Sequence, residues 1–369
     1  MKKFLTNFPL PIIFVIIWVL SICLAGLWSI KNLPFAPTFP YYHDLSDHYS
    51  RFVSSFSHFD GIHYLRIVHK GYDDTGSQAF FPLYPLLIKF LTFGYFDPLY
   101  VAIILNFVLT IATLFLVIKN LAHSERLKFL LLFLSFPTSF YLLANYTESF
   151  FIFLLVSFFI LLKKKHYLFA AILAGLASGT RLVGSFLFLS LLIDFIRVRK
   201  NIFYLLALSL ISISGILGYM YFLYYRFGDP LMFIHVQSLF SNGRSDGEII
   251  LLPQVIFRYL KILVINSPTS FAYFRSLFEL VTFSASLILL YIYRRKMSPS
   301  ILVFVLCAII LPSLSGTLSS YPRYLLAIIP LFSTFAINSS LFKISLISLV
   351  QYVILILFVA LFVQGIFIA

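Results

Sequence analysis

Eleven stretches of this chain hold almost nothing that water would solvate, and that pattern leaves few folds open. The runs are 9–30, 97–118, 127–144, 146–162, 167–180, 182–196, 202–225, 271–293, 299–315, 321–337 and 343–366, dominated by Leu, Ile, Val and Phe. A helix needs roughly 20 apolar residues to cross the ~30 Å hydrocarbon layer of a bilayer, so the longer runs reach unaided and the shorter ones have soft boundaries. The rest of the chain could not coat such a core with charge. Charged residues make up 11% of the 369 and hydrophobic ones 61%, whereas a soluble domain is about a quarter charged. Mean hydropathy is +1.00. The 45 Phe and 23 Tyr suit lipid-facing helices with aromatic belts at the interfaces. The expected fold class is all-α integral membrane: a polytopic bundle of about eleven transmembrane helices, forming one domain over 1–369.

Two more polar segments interrupt the series, 31–79 and 226–270, and are expected to be long extracytoplasmic loops, the first of them helical. Residues 80–93 are apolar, but Pro82 and Pro85 make an interfacial or re-entrant piece the better expectation. Met1-Lys2-Lys3 and the run that follows are too long for a secretory leader and are expected to form an uncleaved first span. Cys23 and Cys307 each lie inside an apolar run, so neither a disulfide framework nor a cysteine metal site is expected.

Charge supplies an orientation. With Lys2 and Lys3 inside and the spans alternating, one face receives Lys119, Arg126, Lys128, Lys163–Lys165, Arg197, Arg199, Lys200, Arg294–Lys296 and Lys343, against the two acids Glu125 and Asp194. Every dense basic cluster then falls on the cytoplasmic side, as the positive-inside rule requires. The formal net charge of +14 is thereby explained by orientation and by attraction to anionic lipid, and nucleic acid is not an expected partner.

The acids collect on the other face, beside the turns with the most distinctive sequence. In His58-Phe59-Asp60-Gly61-Ile62-His63-Tyr64-Leu65-Arg66, a helix starting at Asp60 would put Asp60, His63 and Tyr64 on one side. A carboxylate and an imidazole there suit general-base chemistry on a hydroxyl; the plainer alternative is that Asp60 caps a short helix. Glu148 in Asn145-Tyr146-Thr147-Glu148-Ser149 opens a span, where the helix dipole alone would favour it. Arg181 and Arg323 each begin an apolar run. Guanidinium groups at that depth are costly unless paired or functional; they either snorkel to headgroups or hold a lipid-linked phosphate. No P-loop, dinucleotide fingerprint, zincin motif or nucleophile elbow occurs.

At these residues the chain resembles the PIG-V family of mannosyltransferases, of the GT-C class of multi-spanning glycosyltransferases. The resemblance is carried by His58–Ile67 with Gly71-Tyr72, by Ala79-Phe80-Phe81-Pro82-Leu83-Tyr84-Pro85, and by Tyr146–Phe151. It continues through Ala177-Ser178-Gly179-Thr180-Arg181, Gly228-Asp229-Pro230-Leu231 with Phe233 and Gln237, and Pro322-Arg323-Tyr324. Eukaryotic members tend to have Trp before the aspartate, where Phe59 stands here. The resemblance implies a GT-C-like bundle that transfers mannose, with inversion, from a polyprenyl-phosphate carrier to a glycolipid or glycan acceptor at the membrane. It implies Asp60 and His63 as catalytic, and Tyr64, Arg66, Glu148, Arg181, Asp229, Gln237, Arg323 and Tyr324 as substrate-binding, with no cofactor and no metal. A bacterial plasma membrane with the site facing outward is the expected location, or the ER membrane with the site facing the lumen in a eukaryote. A GT-C enzyme using another lipid-linked sugar is the nearest alternative, and a lipid-linked-sugar flippase the alternative of another class. Transporters tend to place ionisable groups at the bilayer midplane, whereas here they gather at one mouth.

Overall fold

The computed structural model describes residues 9–197, 201–240, 244–245 and 247–368; the expectations placed on Lys2, Lys3, Arg199 and Lys200 lie outside them. Among the described residues every regular element is a helix. In chain order the main ones are α1 (Pro9–Asn32), α2 (Asp60–Lys70), α3 (Leu83–Leu91), α4 (Pro98–Lys119), α5 (His123–Leu134), α6 (Glu148–Lys163) and α7 (Tyr167–Ser178). They continue with α8 (Leu187–Ile196), α9 (Ile202–Phe227), α10 (Leu252–Ile265), α11 (Phe271–Tyr293), α12 (Pro299–Ile310), α13 (Ile329–Ile337) and α14 (Leu341–Val363).

Among the described residues, five helical stretches are long and apolar enough to cross a membrane: Pro11–Asn32, Pro98–Lys119, Ile202–Phe227, Phe271–Lys296 and Leu341–Val363. Their outer sides are bare, with Leu24 67% and Val353 64% exposed. Such continuous apolar surface is the pattern of a helix solvated by lipid. The fold is therefore all-helical and fits a multi-pass membrane protein.

Several other apolar runs are broken, and proline is the physical reason. The run 127–144 holds α5, which stops at Leu134 ahead of Pro137, and then a 3-10 turn at Ser139–Leu142. In 299–315, α12 yields to a 3-10 turn, Leu311–Ser315, at Pro312. The run 321–337 is a turn of helix at Tyr321–Tyr324, a 3-10 turn at Leu325–Ile328 and then α13, with Pro322 and Pro330 near the starts. Proline lacks the N–H that a helix interior needs and clashes with the preceding turn. The segment 80–93 contains only the nine-residue α3, too short to span.

The chain forms two compact units. The first comprises Met1–Val68, Ile88–Phe153 and Phe332–Ile368, and the second His69–Leu87 and Leu154–Leu331. In the first, α14 packs against α1 and α5. Polar side chains tie these apolar helices together: Ser29 donates to the Ala360 carbonyl at 2.7 Å, Trp18 Nε1 to Ser139 Oγ at 3.0 Å, and Ser135 to Gln351 at 3.1 Å. Such bonds matter in lipid because tails compete poorly for a polar group.

In the second unit, α7 and α9 approach each other very closely. Gly175 and Gly179, four residues apart on α7, meet Gly215 on α9 so tightly that a Cβ on Gly215 would stand 2.2 Å from the Gly175 carbonyl oxygen and 2.4 Å from the Gly179 nitrogen. This is small-residue packing of the kind apolar helices use when no water drives them together. Gly215→Ala should therefore force two backbones apart and lower thermal stability in detergent, by about 1–3 kcal/mol if the helices can shift. Gly218→Ala, three residues on and facing open space, should leave the midpoint unchanged or slightly raised. Equal behaviour of the two variants would refute the packing account.

Candidate functional site

In the first unit the segment leading into α2 is held by the turn that precedes α6. The Asn145 side-chain amide donates to Ser57 Oγ at 3.0 Å and to the Gly61 carbonyl at 2.8 Å. The Asn145 backbone N–H donates to the Phe56 carbonyl at 2.7 Å, and the Tyr146 hydroxyl to the His58 carbonyl at 2.7 Å. Asn106 of α4 braces the same turn by donating to the carbonyls of Ala144 and Tyr146. Two of the sequence blocks, His58–Ile67 and Tyr146–Phe151, are thus one packed structure. Asp60 and Glu148 each open a helix, α2 and α6. A first helical turn is a position that carboxylates favour, because of the helix dipole.

Asp60 follows a strained residue. Phe59 has φ +54°, a left-handed conformation that costs a non-glycine residue on the order of 1 kcal/mol or more. Its ring is buried beside Phe39, Phe362 and Phe367, with centroids 4.7, 5.6 and 5.3 Å away. Those aromatic contacts hold the sharp entry into α2. His58, also buried, donates from Nδ1 to the Phe362 carbonyl at 2.9 Å. Burial pushes its pKa down to about 4, against the opposing effect of that hydrogen bond and with some help from the Arg51 charge.

The other expected residues of this unit have different settings. Tyr64 is buried, while His63 is half-buried with its ring edge-on to Tyr41 at 6.2 Å. Arg66 pairs with Asp44 at 3.1 Å and lies over the Tyr41 ring at 3.9 Å. Its charge therefore pins the His43–Ser46 turn to α2.

In the second unit, Tyr324 is a hub for arginines. The Arg181 and Arg323 guanidinium carbons lie 5.1 and 5.2 Å from its ring centroid. Arg244 reaches its hydroxyl at 3.5 Å and donates to Gln237 Oε1 at 2.7 Å. Gln237 is itself fixed by donating to the Phe233 carbonyl at 3.0 Å. Arg181 has extended backbone where the chain leaves α7 for the 3-10 turn Leu182–Phe186, and Arg323 is 5% exposed. Cation–π contacts of this kind offset only about 0.5–2 kcal/mol each, and three guanidinium groups gather around this one phenol. Asp229 is placed differently. It accepts from the Leu231 N–H at 2.9 Å and meets His235 Nδ1 at 2.7 Å, so it closes a turn. Slight burial would raise its pKa, but those two partners outweigh it and hold the carboxyl below its usual value.

Two more sequence blocks meet in this unit, since Tyr72 donates to the Phe80 carbonyl at 2.7 Å and Tyr219 of α9 to the Gln78 carbonyl at 2.8 Å. Nothing in the sequence distinguishes Arg244 or Asn145 for these roles. Arg244 stands in a polar loop where composition already expects charge, and Asn145 reads as part of a glycosylation sequon.

No protein-family model and no curated protein matches this chain. The functional reading therefore rests on the chain's own residues.

The His58 environment has a pH consequence. A histidine whose folded pKa lies near 4, below the ordinary 6.5, lets the unfolded chain bind the proton first, so stability is full above about pH 6.5 and falls as pH drops toward 4. Thermal midpoints of the purified protein should show this acid limb. His58→Asn, able to keep a donor near Phe362 without titrating, should flatten it; an unchanged limb would assign the effect to other groups.

Proposed function

We propose that this protein is a membrane glycosyltransferase that moves mannose from a polyprenyl-phosphate carrier to a lipid-anchored or membrane-adjacent acceptor with inversion. The observation that carries the reading is the gathering of Arg181, Arg244 and Arg323 around Tyr324. Guanidinium forks match phosphate oxygens, and these residues adjoin apolar helices able to accommodate an isoprenoid. Such a set suits a phosphate leaving group, which needs charge stabilisation more than protonation.

On the sequence resemblance, Asp60 is assigned the other step. Asp60 takes the proton of the acceptor hydroxyl as that oxygen attacks the anomeric carbon. The bond from that carbon to the phosphate oxygen breaks, and polyprenyl phosphate leaves with the electron pair, its added charge held by the arginines. His63 and Tyr64 shape the acceptor side. Glu148 supports Asp60, and Gln237 orients Arg244. The proposal requires neither a cofactor nor a divalent ion.

The proposed topology has eleven spans, N-terminus inside and C-terminus outside, with the short apolar helices crossing as broken segments. Support comes from the charge count of the sequence: on this scheme fifteen basic residues and two acids face the cytoplasm, against twelve and eleven on the other side. Ser46 and Ser267 are exposed and belong to the proposed extracytoplasmic segments, whereas Ser57 is buried and unsuited as a probe. In a background lacking Cys23 and Cys307, Ser46→Cys and Ser267→Cys should react with an impermeant thiol reagent in whole cells, and Ser124→Cys should not. Reaction of Ser124→Cys alone would invert the orientation.

Activity is tested by offering purified protein labelled polyprenyl-phosphate sugars and nucleotide sugars in turn, with and without EDTA. Asp60→Asn keeps the size of the side chain but removes the base, so turnover should fall at least ~10²-fold. Arg181→Lys or Arg323→Lys should weaken donor use, because a point charge replaces the fork. Transfer from a nucleotide sugar alone would sink the donor assignment, as would near-normal turnover by Asp60→Asn for the base. Loss of activity in EDTA, restored by Mg²⁺, would sink the metal-free scheme.

A further inference from the structure

The stretch between α9 and α11 contains a helix with two unlike faces. α10 has fourteen residues, about 21 Å at ~1.5 Å per residue, which is short of the ~30 Å a span requires. One face is anchored. Val255 and Tyr259 are buried, and the Tyr259 hydroxyl donates to Glu279 of α11 at 2.6 Å while accepting the Leu318 N–H at 3.0 Å. The opposite face is apolar yet open: Phe257 is 67% exposed and Val264 85%, with Leu260 between them and Ile265 beside them. Those positions repeat at three and four residues and make a single stripe. Arg258 and Lys261 lie along its edge.

Beside α10 is a cavity of about 920 Å³. Arg244, Arg258 and Lys261 line it against a single carboxylate, Glu248, and Ile262 and Ile265 form its apolar wall. Arg258 is fixed there by donating to the Gly316 carbonyl at 3.1 Å. Three cations to one acid select an anion, and the apolar wall and the open stripe select one that carries hydrocarbon. A helix with an apolar stripe edged by basic residues is the pattern that lies in the headgroup plane of a membrane.

We propose that α10 lies in the membrane surface and that the basic cavity beside it binds the phosphate headgroup of an anionic phospholipid, whose acyl chains run along the Phe257–Val264 stripe. This site shares Arg244 with the donor reading, so Arg244 is left untouched and the test uses Lys261 and Arg258, which the donor reading does not invoke.

The full chain is reconstituted in nanodiscs of phosphatidylcholine with and without phosphatidylglycerol, and lipid retained after extraction is measured by native mass spectrometry. The wild-type protein should retain phosphatidylglycerol over phosphatidylcholine. Lys261→Gln, at an exposed position and so harmless to folding, should lower that retention about fivefold, as should Arg258→Gln, the ordinary contribution of one cation at a charged membrane surface. Equal retention by Lys261→Gln and wild type overturns the proposal. Release of the lipid by millimolar inorganic phosphate would mark an inorganic anion site instead, and displacement by added polyprenyl phosphate would give the cavity to the donor; either result also overturns it. A spin label on Val264→Cys, in a Cys23→Ala, Cys307→Ala background, reports the helix directly. Faster relaxation by oxygen than by an aqueous nickel chelate supports a membrane-lying α10, and the reverse order refutes it.

Discussion

In hydrocarbon a backbone N–H or C=O has no water to turn to, so each must be satisfied by the chain itself. Helices meet that demand along most of this protein. It becomes acute where helices stop, and the pairs of interrupted segments give many such places. Polar side chains on the helices and in the turns between them are the answer to it. Asn106 and Asn145 serve the turn before α6, Tyr72 and Tyr219 take up carbonyls around Phe80, and Tyr259 accepts the Leu318 N–H. Each is a side chain that bonds a backbone group or turn of another segment.

The same need concentrates chemistry. A turn braced by buried amides and phenols is rigid, and rigid turns are where a carboxylate or a guanidinium can be held at a fixed angle. Asp60 emerges from a strained Phe59 packed among aromatic rings, and Glu148 emerges three residues after Asn145. Broken helices therefore create helix starts, and helix starts favour anionic side chains.

The arginines follow a different logic. A guanidinium in an apolar setting is stabilised by ring faces and by hydrogen bonds from its planar edge. Tyr324 provides the face for two of them, and its hydroxyl together with Gln237 holds a third. These contacts keep the cations in place around one ring.

The amino-acid sequence by itself determined the class of fold, because long uncharged runs have one stable solvent and one secondary structure in it. It also determined that Asp60 would begin a helix, that Glu148 would open another, and that 80–93 would not span, since prolines and helix-start residues act over a few neighbours. The breaks inside 127–144 and 321–337 were written in Pro137, Pro322 and Pro330 but were hidden by hydropathy, which counts apolar side chains and ignores a missing N–H. Only the tertiary structure decided which distant residues meet. Gly215 seats on Gly175 and Gly179, Arg66 is taken by Asp44, and Arg244 joins Arg181 and Arg323 at one tyrosine. Arg181 and Arg323 are 142 residues apart, and no local pattern specifies a contact of that length. It follows from how helices pack, which depends on the shapes of all the faces at once.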